Sequence, residues 1–128
     1  MRAVDTNVLV RWLLNDDAEQ AILASAIVKS GAYVPMTVAM EVEWVLRGVA
    51  LLPRPDVADL LERMIRVDTL TLDDGDALLW ALERYRRGAD WADCIHLISA
   101  HSATSFATFD RRLVRQAGRD SPVPIELI

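Results

Sequence analysis

Of the nineteen acidic residues in this 128-residue chain, four stand where solvation does not account for them: Asp5, Glu41, Asp93 and Asp110. Asp5 closes the short apolar run Ala3-Val4, and Asp110 closes Phe106-Ala107-Thr108-Phe109. Each therefore ends a strand pattern and opens a helical one, and the carboxyl ends of strands are where open α/β sheets place their sites. Capping of the following helix would explain either one singly. Glu41 lies in the most apolar helical stretch, with Thr37, Val38, Trp44 and Val45 three or four residues away and no cation on its own helix. Glu43, by contrast, has Arg47 four residues on and marks the wet face. A carboxylate among apolar neighbours is costly unless something distant pairs with it, so Glu41 requires a partner such as a metal ion, or else reaches water from the edge of the stripe. Asp93 follows Asp90 by three residues, on one face of a helix's first turn, a spacing that also fits capping. If the strands ending at Asp5 and Asp110 are neighbours, the four carboxylates form one pocket, stable only with a divalent cation in it. All-oxygen ligands suit Mg²⁺ or Mn²⁺ rather than zinc, and the chain has no Cys/His ligand set.

The remaining candidates have plainer readings. Asp16, Asp17, Asp56, Asp73, Asp74 and Asp76 sit at helix starts, where free N–H groups favour an anion. His96, between Ile95 and Leu97, reads as a packed, hydrogen-bonded side chain, and His101 as a favourable charge near a helix C-terminus.

The elements that must position these groups alternate along the chain. Strand patterns over 2–4, 32–35, 67–72, 105–109 and 125–128 are separated by helical patterns over 8–14, 16–31, 36–47, 57–66, 76–87, 90–102 and 110–119. Gly48 stands where a glycine favours the end of the 36–47 helix. Such alternation implies a three-layer α/β/α sandwich around a mostly parallel sheet, with crossover connections. No linker or repeat interrupts the chain, so residues 1–128 read as a single domain, and the length suffices for a core without disulfides.

Composition narrows the class. Hydrophobic residues at 52% and charged residues at 26%, with few Gly and Pro, exclude disordered and low-complexity proteins. One cysteine, Cys94, forms no internal disulfide. Charged residues break every apolar stretch before it could span a bilayer, and no signal-peptide core opens the chain, so a cytoplasmic protein is expected. The net charge of −5 argues against a non-specific nucleic-acid coat, but the charge is uneven: residues 84–119 carry seven arginines against three aspartates, Asp90, Asp93 and Asp110.

Four segments, in order, carry a family resemblance: Val4-Asp5-Thr6-Asn7-Val8-Leu9; Val34-Pro35 followed by Glu41-Val42-Glu43-Trp44-Val45-Leu46; Ala89-Asp90-Trp91-Ala92-Asp93 leading to His96-Leu97; and Ala107-Thr108-Phe109-Asp110. Together they resemble PIN domains, and more narrowly the toxins of VapBC toxin-antitoxin systems, over the whole chain. The resemblance implies an α/β/α sandwich in which Asp5, Glu41, Asp93 and Asp110 hold Mg²⁺ or Mn²⁺ for endoribonuclease chemistry, leaving a 5′-phosphate and a 3′-hydroxyl. It implies Asp5 and Asp93 as principal ligands, Glu41 as ligand or orienter of the attacking water, and Asp110 as an outer or second-metal ligand. Asp90 matches a further acidic position, and Thr6, Asn7 and Thr108 match supporting positions. Arg84, Arg86, Arg87, Arg111, Arg112 and Arg115 are candidates for RNA phosphates, or else solvate helix ends. The resemblance further implies a homodimer and a cognate VapB-type antitoxin whose C-terminal segment crosses the pocket, with Trp12, Leu13, Trp44 and Leu46 either a groove for an amphipathic helix or core. A phosphoacceptor receiver domain is the alternative of another class, but it needs a lysine near its last strands and the only lysine is Lys29. A non-catalytic PIN-like binding module is disfavoured by the intact acids, and a structure-specific DNA nuclease by the lack of added helices.

Overall fold

Parallel strands cannot be joined by a tight turn, and every strand in this chain is separated from its ladder partner by at least one helix. The computed structural model describes all residues, 1–128, and the chain divides into two compact units, 1–75 and 76–128. All strand pairings are parallel. The α/β class expected from the alternating patterns is thus the class observed, in keeping with a three-layer α/β/α fold.

In the first unit, β1 (Arg2–Ala3) leads through α1 (Thr6–Leu14) and α2 (Ala18–Lys29) to β2 (Ala32–Val34). Helix α3 (Met36–Trp44), a π-helical turn (Val45–Val49) and α4 (Arg54–Arg66) then lead to β3 (Leu70–Leu72). The sheet order is β1-β2-β3, with Ala32 opposite both Arg2 and Leu70. Helix α4 buries Val57, Ala58, Leu61, Met64 and Ile65, the stripe its periodicity marks, and Pro55 sits in its first turn, where a missing N–H is harmless. Leu9, Val42 and Leu46 are fully buried.

Two expectations fail locally here. The helix expected over 36–47 widens after Trp44 into the π turn, closed by the Ala50 N–H on the Val45 carbonyl at 2.9 Å. Gly48 lies inside that turn rather than capping the helix. The apolar residues 45, 46 and 49 suit either winding, so periodicity alone does not separate them. The strand expected from residue 67 begins only at Leu70, because the Val67 N–H still bonds the Arg63 carbonyl at the end of α4.

In the second unit, α5 (Gly75–Arg86) is followed by α6 (Trp91–Ser99), β4 (Phe106–Thr108), α7 (Arg111–Ala117) and β5 (Ile125–Leu127). β4 pairs with β5, Phe106 opposite Ile125 and Thr108 opposite Leu127. Leu97, Leu113, Ala117 and Val123 form its apolar centre, with Trp80, Phe106 and Ile125 packed against them. Tyr85 meets Trp91 edge to face at 5.8 Å.

Arg84 departs from its expected role. It is only 8% exposed, and its Nε donates to the Ala117 carbonyl at 3.0 Å while its two other nitrogens reach Glu83 and Asp120. The guanidinium also lies 5.5 Å from the Trp80 ring centre. Its fork is committed to holding the end of α7, which removes it from the residues available to an RNA phosphate. Replacing Arg84 by Met leaves the Ala117 carbonyl without this donor, and a loss of about 1–3 kcal/mol in urea unfolding is expected. A loss near zero would show that the fork carries no structural weight.

The exposed Asp120 carboxyl is held below the usual carboxylate range, first by the Trp80 indole N–H and then by Arg84. The indole nitrogen makes no fully formed hydrogen bond, but it still favours the ionised acid. A lowered acid stabilises the fold above its unfolded-state pKa and loses that contribution as pH falls through its folded one. The melting-temperature gap between wild type and Asp120→Asn should therefore be full at neutral pH and close in acid. A gap independent of pH would show that the charge of Asp120 is not what matters.

Candidate active site

A strand that runs straight into a helix leaves the helix's first N–H groups unpaired, and a carboxylate at the junction satisfies them. Asp5 does this for α1, its Oδ1 accepting from the Val8 N–H at 3.1 Å. Its own side chain stays exposed. The next residue, Thr6, is buried, and its hydroxyl donates to Glu41 Oε1 at 2.5 Å. Asp5, Thr6 and Glu41 are thus linked in the first unit, with α1 held to α3 by the Thr6 bond. Asn7 is exposed on the first turn of α1, beside a groove of about 260 Å³ lined by Asp5, Asn7, Val8, Arg11 and residues of α2.

The two glutamates of α3 exchange their expected places. Glu41 is exposed, whereas Glu43 is 5% exposed and ion-paired with Arg47, Nε to Oε2 at 2.6 Å. The reason is geometric: Ala39, Val42, Glu43 and Leu46 are spaced as one helical stripe and are all buried, and position 41 lies off it. That spacing was the signal for a buried Glu43, whose charge is met by the headgroup of a partly exposed arginine stem. Of the two readings for Trp12, Leu13, Trp44 and Leu46, groove or core, three of the four residues follow the core one. Trp12, Leu13 and Leu46 are buried, Trp12 under the Arg63 guanidinium at 4.5 Å, while Trp44 is 56% exposed.

In the second unit, Asp90 caps α6, accepting from the Asp93 N–H at 2.9 Å, so the capping reading of this pair is the observed one. Asp110 caps α7, its Oδ1 bonded to the N–H groups of Arg112 at 2.9 Å and Leu113 at 3.4 Å. Thr108 accepts from the Asp110 N–H at 3.0 Å and so fixes the turn that presents this acid. Capping does not exhaust the acids, however. Asp93 is half-buried, and its carboxyl is raised above the usual range by burial first, then by the charges of Asp90 and Asp110. His96 and Arg112 oppose the rise. His96 is exposed rather than packed, because the buried face of α6 runs through Trp91, Cys94, Ile95 and Ile98. His101 meets the Ile98 carbonyl at 3.0 Å, near the end of α6 as its position suggested. The Cys94 thiol is pushed up to about 12, chiefly by burial and then by Asp93, which leaves it inert as a nucleophile.

The acids therefore fall into two groups: Asp5, at the start of α1, with Glu41, inside α3, in the first unit, and Asp90, Asp93 and Asp110, at the starts of α6 and α7, in the second. The strand ends that carry Asp5 and Asp110 belong to different hydrogen-bonded sheets, β1-β2-β3 and β4-β5. Neither unit by itself gathers three ligands into a ready ion cage. The donor chemistry nonetheless suits a hard divalent cation, being carboxylate oxygens only, with one acid destabilised as an anion by two others. Arg86, Arg87, Arg111, Arg112 and Arg115 are all exposed.

The family model for the PIN domain matches residues 2–119, across both units. The chain belongs to the PIN domain family, whose members are generally nucleases and typically metal-dependent. No curated protein and no solved structure gave a significant match. No helix is long and apolar enough to cross a membrane.

Capping and charge at Asp110 are separable by substitution. Asp110→Asn keeps a cap oxygen and should leave stability within about 0.5 kcal/mol, whereas Asp110→Ala should lose about 1 kcal/mol in urea unfolding. Equal losses in the two variants would show that the cap bond is not the stabilising element.

Proposed function

We propose that the protein is a metal-dependent endoribonuclease, the toxin of a type II toxin-antitoxin pair. The observation that carries this reading is the PIN domain match over residues 2–119, with Asp93 placed beside Asp90 and Asp110 at the starts of α6 and α7. Carboxylates that disfavour one another's charge gain from sharing a cation. Asp5, Glu41, Asp93 and Asp110 are the residues that would hold Mg²⁺ or Mn²⁺. Such an ion, when bound, lowers the pKa of a coordinated water and offsets charge on the phosphate oxygens.

The chain's own residues prepare that step. Asp5 and Asp110 keep one oxygen on helix N–H groups, which restrains each carboxylate and leaves its second oxygen for a ligand. Thr6 occupies Glu41 Oε1, so Oε2 remains to orient a water for attack on phosphorus. Asp90 restrains the backbone of Asp93, and Thr108 that of Asp110. The exposed Arg86, Arg87, Arg111, Arg112 and Arg115 supply forks for RNA phosphates. Support for the toxin reading comes from the four segments around Asp5, Glu41, Asp93 and Asp110. With it go a cognate VapB-type antitoxin, a homodimer and a cytoplasmic location.

Pure protein should cut a defined RNA pool with Mg²⁺ or Mn²⁺, lose that activity in EDTA, and lose at least about a hundredfold in rate in Asp93→Asn, as expected when the hold on a catalytic ion is disturbed. Cleavage unaffected by EDTA or by the substitution would overturn the mechanism. Mg²⁺ or Mn²⁺ should also raise the melting temperature of wild type more than that of Asp5→Asn, since an ion that binds the native state stabilises it. Equal shifts would take Asp5 out of the ligand set.

A further inference from the structure

The second unit contains a basic pocket of about 290 Å³, apart from the acids, lined by Arg84, Arg87, Ala89, Arg115, Gln116 and Gly118. By volume it has room for several waters, at about 30 Å³ each, and so for one tetrahedral oxyanion with part of its hydration. Its charge is unbalanced. Arg84 is matched by Glu83 and Asp120, and Arg87 shares Glu83 through a contact at 2.9 Å, so three guanidiniums face two carboxylates. Arg115 is exposed and makes no ion pair within the chain. A fork with unused donors at the mouth of a positive pocket suits phosphate oxygens.

The pocket is also built rather than incidental. Arg84 is buried and fixed by the Ala117 carbonyl, which sets the end of α7. Gln116 Nε2 donates to the Gly88 carbonyl at 3.3 Å and ties α7 to the turn between α5 and α6. Gly118, with φ of +75°, contributes a wall without a side chain; a Cβ there would come within 3.5 Å of the Arg84 guanidinium. The position is informative as well. Ala89 directly precedes Asp90, and Arg115 lies five residues beyond Asp110 on α7, about 7.5 Å along the helix at 1.5 Å per residue.

We propose that this pocket holds a non-scissile phosphate of the substrate strand, with Arg115 and Arg87 as its donors. The proposal deepens the ribonuclease reading and rests on it for the identity of the strand. Arg115 thereby sets the register of the RNA rather than taking part in bond cleavage.

Binding of a labelled single-stranded RNA in EDTA, followed by fluorescence anisotropy, tests this without cleavage. Arg115→Gln should raise Kd about tenfold, the size of a lost hydrogen bond to a charged group, and reduce the salt slope by about 1. Arg119→Gln removes the same charge from an exposed site outside the pocket lining and should stay within about twofold. In parallel, inorganic phosphate, compared with chloride at equal ionic strength, should shift the Arg115 Nε–H of wild type saturably, and should shift the Gln116 side-chain amide in wild type but not in Arg115→Gln. Equal Kd values in the two variants, or shifts that chloride reproduces, would overturn the proposal. A wild type that binds RNA through Arg115 but cuts none with Mg²⁺ or Mn²⁺ would instead refute the ribonuclease reading and leave the pocket standing.

Discussion

The unpaired N–H groups at the start of a helix are the constraint on which this protein depends. Each needs an acceptor, and at four helix starts the acceptor is a carboxylate: Asp5 on α1, Asp17 on α2, Asp90 on α6 and Asp110 on α7. Capping restrains the side chain and keeps it at a strand or loop end that faces water. The same bond that stabilises the helix therefore holds a charged group ready for a ligand. In this fold a structural and a chemical role do not compete for these residues, because a carboxylate has two oxygens and the cap occupies only one.

Burial of charge follows the opposite logic. Glu43 and Arg84 are both nearly inaccessible, and both are met by partners that satisfy them, Arg47 in one unit and Ala117, Glu83 and Asp120 in the other. A buried ion left alone is costly, so such groups are fixed in place and become unavailable for binding. Arg84 is thus a strut rather than an RNA contact, but as a strut it positions the end of α7 and gives the pocket beside Arg115 its shape. Asp93 lies between these extremes: half-buried, opposed by Asp90 and Asp110, and only partly relieved by His96 and Arg112.

Much of this was legible in the residues themselves. The alternation of strand and helix patterns yields the parallel α/β class, because crossovers leave that signature in any sequence. The caps at Asp5, Asp90 and Asp110 follow from residue type and place. The failures share a cause. For Glu41 and Glu43 the i,i+4 partners are a weaker guide to the buried face than the apolar stripe Ala39-Val42-Leu46, because a salt bridge can form as well at a buried edge as at a wet one. The π turn at Val45–Val49 carries the same apolar residues as an α-helix would, so no periodicity announces it.

The sequence by itself determined the alternation of strands and helices, the acids that open helices and the excess of arginine over residues 84–119, since these depend on neighbours within a few positions. Tertiary structure alone decided which charges are used up. Arg84 is taken by a carbonyl thirty-three residues away and Glu41 by a hydroxyl thirty-five residues away, and contacts at such separations leave no local trace. Which arginine is a strut and which reaches a phosphate is therefore a property of packing, where desolvation makes each buried charge find a partner.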